Sequence, residues 1–339
     1  MKIWMFPIEP LEERYSADWY TWWVEELSRL RMHWAMVDGG KLTEKIEQGE
    51  FLDVLGTNYW KATQLSNFIG ALHSGDVKDG DWVVLHDGWN PAVEQLAYMR
   101  DLGKVKFKIA GLFHAGTWDP HDFITKPTRM WAQRAERSWA HIYDRMFFAT
   151  EFHKKLFMDY VCNGDWERNR VGPQLRVTGF PLFVDGLKKH REPWVSRERI
   201  VVFPHRLAAE KQPWQFEHMK YLYQQRYGND GTRWTRTKEV CASKSSYYAL
   251  LGKSRVAVSC ALQETWGIAM LESLALGCHP VVPDALSYKE TLQHFPRYPA
   301  DDLERAVDLI HEGLNAAEAA PYATRMWDQS IENIVKELT

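Results

Sequence analysis

Cysteine is scarce. The 339 residues hold four, Cys162, Cys241, Cys260 and Cys278, widely separated and with no Cys-x-x-Cys pairing. That excludes a disulfide scaffold and a thiolate zinc site, and leaves reduced, buried thiols as the expectation. Long apolar runs are missing too, and none approaches the roughly 18 residues of a membrane span. The start, Met1-Lys2-Ile3-Trp4-Met5-Phe6-Pro7, lacks the basic region and long apolar stretch of an export signal. A soluble, cytoplasmic protein with no membrane partner is expected. No repeat of 20 to 50 residues and no low-complexity tract is present. With 45% hydrophobic and 26% charged residues, disordered and collagen-like chains are excluded. At about 150 residues per domain, the length favours two domains over one.

What is present is uneven charge and much tryptophan. The formal net charge is −3, yet residues 101–211 carry 20 Lys and Arg against 13 Asp and Glu. A basic stretch of this kind is either a phosphate-facing surface or a set of solvated helix faces. The 17 tryptophans are spread from Trp4 to Trp327, so most are expected as filler of a core or an interface. Trp89 and Trp118 lie in polar, turn-rich strings, where an indole suits the wall of a pocket for a sugar or a base.

Short apolar runs alternate with helical periods. Strands are expected at residues 2–6, 82–86, 108–113, 145–149, 176–179, 200–203, 256–260 and 279–283, and helices at 90–102, 214–227, 245–251 and 268–276. This alternation is the signature of α/β architecture with parallel sheets and crossover helices. A polar stretch ending in Pro193 marks a linker over 184–199. The expected organisation is two doubly wound, Rossmann-like domains, 1–185 and 198–321, with a helix at about 322–339 packing back on the first. Ligands of such sheets bind beyond the carboxyl ends of the strands, so a cleft between the domains is the expected site.

Two strings carry chemistry. In Phe203-Pro204-His205-Arg206-Leu207-Ala208-Ala209-Glu210-Lys211 a strand empties into a loop with Arg206 and Lys211 five apart. Both cations can converge on a diphosphate, Arg through its planar fork and Lys as a point charge. In Glu264-Thr265-Trp266-Gly267-Ile268-Ala269-Met270-Leu271-Glu272 a helix starting near Gly267 puts one carboxylate on the loop and the other about a turn inside. Gly267 permits close approach of a ligand to the backbone, and first-turn N–H groups attract phosphate or sugar oxygens. The plainer reading of both acids is stabilisation by the helix macrodipole.

Together, the Arg-x4-Lys loop, the Glu-x7-Glu helix and the following Gly277-Cys278-His279-Pro280-Val281-Val282-Pro283 resemble the donor domain of retaining GT-B glycosyltransferases over roughly residues 198–300. The resemblance implies a GT-B fold of two Rossmann-like domains facing across a cleft, with a nucleotide-sugar donor, a UDP-sugar before a GDP-sugar. It places Arg206 and Lys211 on the diphosphate, Glu264 on the donor sugar and Glu272 on the ribose, with the backbone around Thr265, Trp266, Gly267 and Ile268 lining the sugar. It further implies that no metal or other cofactor is required. Trp266 stands where the family usually has Phe, and the donor domain is short, which bears on donor identity.

His205-Arg206 with its flanks and Pro283-Asp284-Ala285-Leu286-Ser287-Tyr288-Lys289-Glu290 are similar to blocks of the tRNA-queuosine mannosyltransferase group. The opening, Phe6-Pro7-Ile8-Glu9-Pro10-Leu11-Glu12-Glu13-Arg14-Tyr15-Ser16 and then Phe51-Leu52-Asp53, is similar to bacteriophage-encoded glycosyltransferases that modify DNA. The acceptor so implied is a hydroxymethylated pyrimidine in phage DNA, such as 5-hydroxymethylcytosine, acted on in the host cytoplasm, with tRNA or a small molecule as the alternative. A GT-B fold without turnover, serving as a binding module, is the rival of another class. In the amino-terminal domain, the resemblance brings His114 near the donor sugar, and Asp119 or Asp87 is suited to accept a proton from the incoming hydroxyl. Lys126, Arg129, Arg134 and Arg137 are the candidate phosphate contacts of a nucleic acid.

Overall fold

The computed structural model describes residues 1–12, 14–42, 53–162, 164–316 and 329–339. They form two compact units, Met1–Pro181 with Gln329–Thr339, and Leu182–Asp328. In the first, six parallel strands are ordered β2-β1-β3-β4-β5-β6: β1 (Ile3–Phe6), β2 (Trp34–Met36), β3 (Trp82–Leu85), β4 (Lys108–Leu112), β5 (Arg145–Phe148) and β6 (Leu175–Val177). Ile3 pairs with Trp34 on one side and Trp82 on the other. In the second, four parallel strands are ordered β10-β9-β7-β8: β7 (Ile200–Phe203), β8 (Arg233–Arg236), β9 (Val256–Val258) and β10 (His279–Val281). This is the α/β, GT-B architecture the sequence implies.

Strands covered by helices on both faces read as unbroken apolar runs, and β3 and β7 are buried at every position. The two strands that the pattern does not reveal, β2 and β8, are edge strands. The Arg233-Trp234-Thr235-Arg236 string of β8 is exposed or half-buried throughout, so no apolar run marks it. Phe6, Phe68, Phe113, Phe148 and Phe157 belong to the first core, and Val201, Phe203, Phe216, Val258 and Ile310 to the second. All four cysteines are free, and burial pushes the Cys260 and Cys278 thiols up to about 12.

The stretch 184–199, expected as a linker, is built into the second unit. It contains the helix Val184–Lys188, and the buried Arg197 guanidinium donates to the carbonyls of Glu192, Ser254 and Leu276. The helix Ser330–Leu338 belongs to the first unit, where the Trp82 indole donates to the Leu338 carbonyl at 2.8 Å and Arg176 pairs with Glu337 at 2.6 Å. Among the described residues, no helix is long and apolar enough to cross a membrane.

Candidate functional site

In the second unit, β7 ends at Phe203 and the chain runs through Pro204 into His205 and Arg206, then into a single 3-10 turn, Ala209–Lys211. That turn folds Lys211 inward. Its ammonium, buried, donates to the Gln263 carbonyl at 2.5 Å and to Glu264 Oε1 at 2.8 Å. Glu264 follows β9 on the neighbouring loop, so adjacency of β7 and β9 in the sheet brings the two strings together. Burial would raise the Glu264 carboxyl, but Lys211 foremost, with His205 and Arg206, holds it below its ordinary value. His205 lies 3.7 Å from the same Oε1, and burial pulls its pKa down to about 4 against the opposing pull of Glu264. The imidazole is therefore neutral at pH 7, and the ion pair is Lys211 with Glu264.

Arg206 differs from its expected partner set. Its guanidinium is held by Glu210 Oε1, at 2.8 Å from Nε and 2.5 Å from Nη2, an i,i+4 pairing that orients the fork from behind. Glu210 is a residue sequence reasoning missed, although its spacing from Arg206 was visible. Arg206, Lys211 and Glu264 thus fall in one electrostatic cluster, with His205 and Gln263 as unforeseen members.

Gly267 caps the helix Ile268–Ala275 with φ +79, and a Cβ there would lie 2.8 Å from the Tyr288 ring. Only glycine meets both conditions without strain. Thr265 and Trp266 before it are buried, and Ile268 after it is half-buried. The helix start brings the positive end of its dipole to the loop that carries Glu264. Glu272, one turn further in and buried, accepts the Tyr248 hydroxyl at 2.8 Å and the Tyr247 hydroxyl at 3.2 Å. Neither tyrosine was singled out from the sequence, where the Ser243-x-x-Ser246 helix start before them was the available signal.

In the first unit, His114 follows β4. Its Nε2 lies 2.7 Å from the His86 carbonyl, which only accepts, so Nε2 carries the proton and Nδ1 accepts from the Tyr15 hydroxyl at 3.3 Å. Burial lowers the pKa of His114 despite Asp87, leaving the ring neutral. Asp119 is buried, and its Oδ1 accepts the His121 N–H at 2.9 Å in a local turn. Asp87, at the end of β3, is more open and pairs with Lys61 at 2.7 Å. The loops after β3 and β4 are tied together by Glu136, a carboxylate only 1% exposed, which accepts the Trp89 indole at 2.8 Å, the Thr117 N–H at 2.8 Å and the Thr117 hydroxyl. Burial raises the Glu136 pKa, and the Thr117 bonds work against the rise.

Trp118, expected in a pocket wall, is a core residue, buried with its indole donating to His153 Nε2 at 3.1 Å. Trp89 is half-buried and packs at 6.0 Å against Trp131, which is 49% exposed. Lys126, Arg129 and Arg134 are exposed, whereas Arg137 is half-buried near the Tyr160 carbonyl. The sequence has one Asp-x-Asp string, Asp79-Gly80-Asp81, at the amino end of β3. Asp79 and Asp81 accept backbone N–H groups of Lys106, Lys2 and Lys78, so these acids bind the chain itself. Among the described residues, no group of three or more His, Cys, Asp or Glu is placed to hold a metal.

No family model matches the chain. It is 31% identical over 96 residues to "Putative glycosyltransferase 41" of Sulfolobus islandicus filamentous virus, a stretch that is 28% of this chain and 26% of that one. The matched region thus spans about a quarter of the viral protein. Among solved structures, the chain is similar to a sucrose-phosphate synthase of Thermosynechococcus elongatus, with a TM-score of 0.62 at 15% identity over 100% of this chain and 94% of that one. It is equally similar to an E. coli trehalose-6-phosphate structure bound with UDP-2-fluoro glucose, with a TM-score of 0.62 at 14% identity over 99% of this chain and 98% of that one. At these identities the likeness is one of fold, and it extends over both units.

Proposed function

We propose that the chain is a retaining glycosyltransferase that moves a hexose from a nucleotide sugar, of UDP type, to a hydroxyl acceptor. The observation that carries this reading is the ion pair of the buried Lys211 ammonium with the half-buried Glu264, beside Arg206 and the Gly267-capped helix start. A desolvated ammonium, an oriented guanidinium and a helix amino terminus are the groups that stabilise charge on a departing diphosphate. Glu264, held ionised by Lys211, is an acceptor for sugar hydroxyls. In the proposed step the bond from the anomeric carbon to the diphosphate oxygen breaks. The acceptor oxygen bonds to that carbon from the same face, and its proton passes to the departing phosphate oxygen. His114 is assigned to the sugar and Asp119 or Asp87 to the acceptor hydroxyl. Asp87 has the better claim, since it is half-buried whereas Asp119 is only 4% exposed.

For the acceptor we favour a hydroxymethylated pyrimidine in DNA. Support comes from the exposed Lys126, Arg129 and Arg134 interleaved with exposed Phe123, Met130 and Trp131, a pattern suited to a phosphate backbone and stacked bases. The name of the matched viral protein supports glycosyl transfer and is silent on the acceptor. A small phosphorylated acceptor is the second reading, favoured by the sugar-phosphate names of the structural neighbours.

The test is incubation of the purified protein with UDP-glucose, UDP-N-acetylglucosamine or GDP-mannose, with hydroxymethylated DNA, plain DNA or bulk tRNA. Mass spectrometry of digested nucleosides and assay of free sugar are the readouts. Transfer is expected from a UDP-sugar, with Lys211→Ala slower by roughly 100-fold, as for loss of a comparable electrostatic stabiliser. Binding without any transfer or sugar release, or full turnover by Lys211→Ala, overturns the proposal.

A further inference from the structure

The carboxylate of Glu272 is bracketed by the hydroxyls of two consecutive residues, Tyr248 on Oε1 at 2.8 Å and Tyr247 on Oε2 at 3.2 Å. Both rings come from the helix Lys244–Lys253. Its amino end is locked by a reciprocal capping box, in which Ser246 N–H donates to Ser243 Oγ at 3.1 Å and Ser243 N–H to Ser246 Oγ at 3.0 Å. The Tyr248 ring is buried, 5.6 Å from the His190 ring and 5.8 Å from the Lys244 ammonium. Burial, and after it the charge of Glu272, pushes the ionisation of Tyr247 well above its ordinary value, so its hydroxyl remains a donor. A glutamate side chain turns about three bonds, and ordering it at the moment of ligand binding costs affinity. Here two phenols order it in advance. One donor sits on each oxygen, so the two bonds together fix the plane of the carboxylate.

We propose that Tyr247 and Tyr248 are positioning residues that set the plane of the Glu272 carboxylate to meet a vicinal diol with both oxygens, giving the second unit preference for a ribonucleotide. The inference rests on the reading that Glu272 receives the ribose of the donor nucleotide. Each phenol acts through Glu272, so removing a hydroxyl weakens recognition of the diol and leaves the remaining nucleotide contacts intact.

The test is calorimetric binding of UDP and GDP, each beside its 2′,3′-dideoxy counterpart, to the intact protein, Tyr247→Phe, Tyr248→Phe and Glu272→Gln. Phenylalanine keeps the ring packing, and a melting curve checks that each variant is folded. The intact protein is expected to prefer one ribonucleotide to its dideoxy form. Each Tyr→Phe change should narrow that preference by roughly three- to tenfold, as for loss of one hydrogen bond, with dideoxy affinity kept within about twofold. Equal losses on both forms, or no loss on either, overturn the positioning role. If Glu272→Gln abolishes the preference while both Tyr→Phe variants retain it, the ribose reading stands and this inference fails. If the preference survives Glu272→Gln, or no nucleotide binds, the donor reading fails and this inference with it.

Discussion

His153 shows how a single buried side chain makes the first unit sensitive to acid. It is fully buried, and its Nε2 accepts from the Trp118 indole, which fixes the proton on Nδ1. Burial, helped by His114, pulls its pKa down to about 3 from the ordinary 6.5. Below about pH 6.5 the unfolded chain takes up a proton that the folded one refuses, so this residue's effect on stability is fully favourable above that pH and is lost progressively on acidification. Glutamine in its place keeps an acceptor for Trp118 and titrates in neither state. The slope of unfolding free energy against pH, from denaturant titrations between pH 6 and 4, is expected to be smaller in His153→Gln by roughly 1 kcal/mol per pH unit, one proton being worth at most about 1.4. Parallel slopes in the two proteins would show that His153 takes up its proton in the folded state as readily as in the unfolded one. The neutral His205 in the second unit follows the same logic with a shallower drop, to about 4.

At the scale of elements, the helix Ile268–Ala275 depends on one backbone conformation. Gly267 is left-handed, and any side chain would meet Tyr288, whose hydroxyl is bonded to Ser259 at 2.8 Å and whose ring is fully buried. Gly267→Ala combines the left-handed penalty of about 1 to 2 kcal/mol with a contact that the Tyr288 ring cannot relieve cheaply. Loss of about 2 to 3 kcal/mol in denaturant unfolding of the second unit is expected, and a change under about 0.5 kcal/mol would show that the loop adopts another conformation freely. The same elements mark what the sequence discloses. Central strands such as Ile200–Phe203 announce themselves because both faces are buried, and Arg206, Lys211, Glu264 and Gly267 because fixed spacings join them to strand and helix ends. Edge strands such as Arg233–Arg236 lack that pattern. Glu136 with Thr117, and Glu272 with Tyr248, are contacts made 19 and 24 residues apart, and no local periodicity encodes a partner at such a distance.

Over the whole molecule, a net charge of −3 argues against binding nucleic acid by bulk electrostatics, so any polyanion must be met by a local surface. The segment from Phe123 to Arg134 has that character. Met130 is 85% exposed and Trp131 49%, and the Lys126, Arg129 and Arg134 side chains are exposed beside them. An isolated amphipathic helix for a bilayer is a poor description of it, because the residues span a single turn, Thr125–Thr128, and the start of the helix Ala132–Ala140, and Trp131 is packed against Trp89. On duplex DNA each neutralised phosphate contributes about −0.9 to the slope of log affinity against log salt. Replacing Lys126, Arg129 and Arg134 together by glutamine is expected to flatten that slope by up to about 2.7, measured by fluorescence anisotropy between low and moderate salt, with an unchanged melting curve as the control. Arg137 is left in place, since its guanidinium already lies near the Tyr160 carbonyl. An unchanged slope, or equal turnover on a free hydroxymethylated nucleoside, would remove the polymer acceptor and favour a small one, and tighter binding to anionic vesicles than to DNA would assign this surface to a membrane instead.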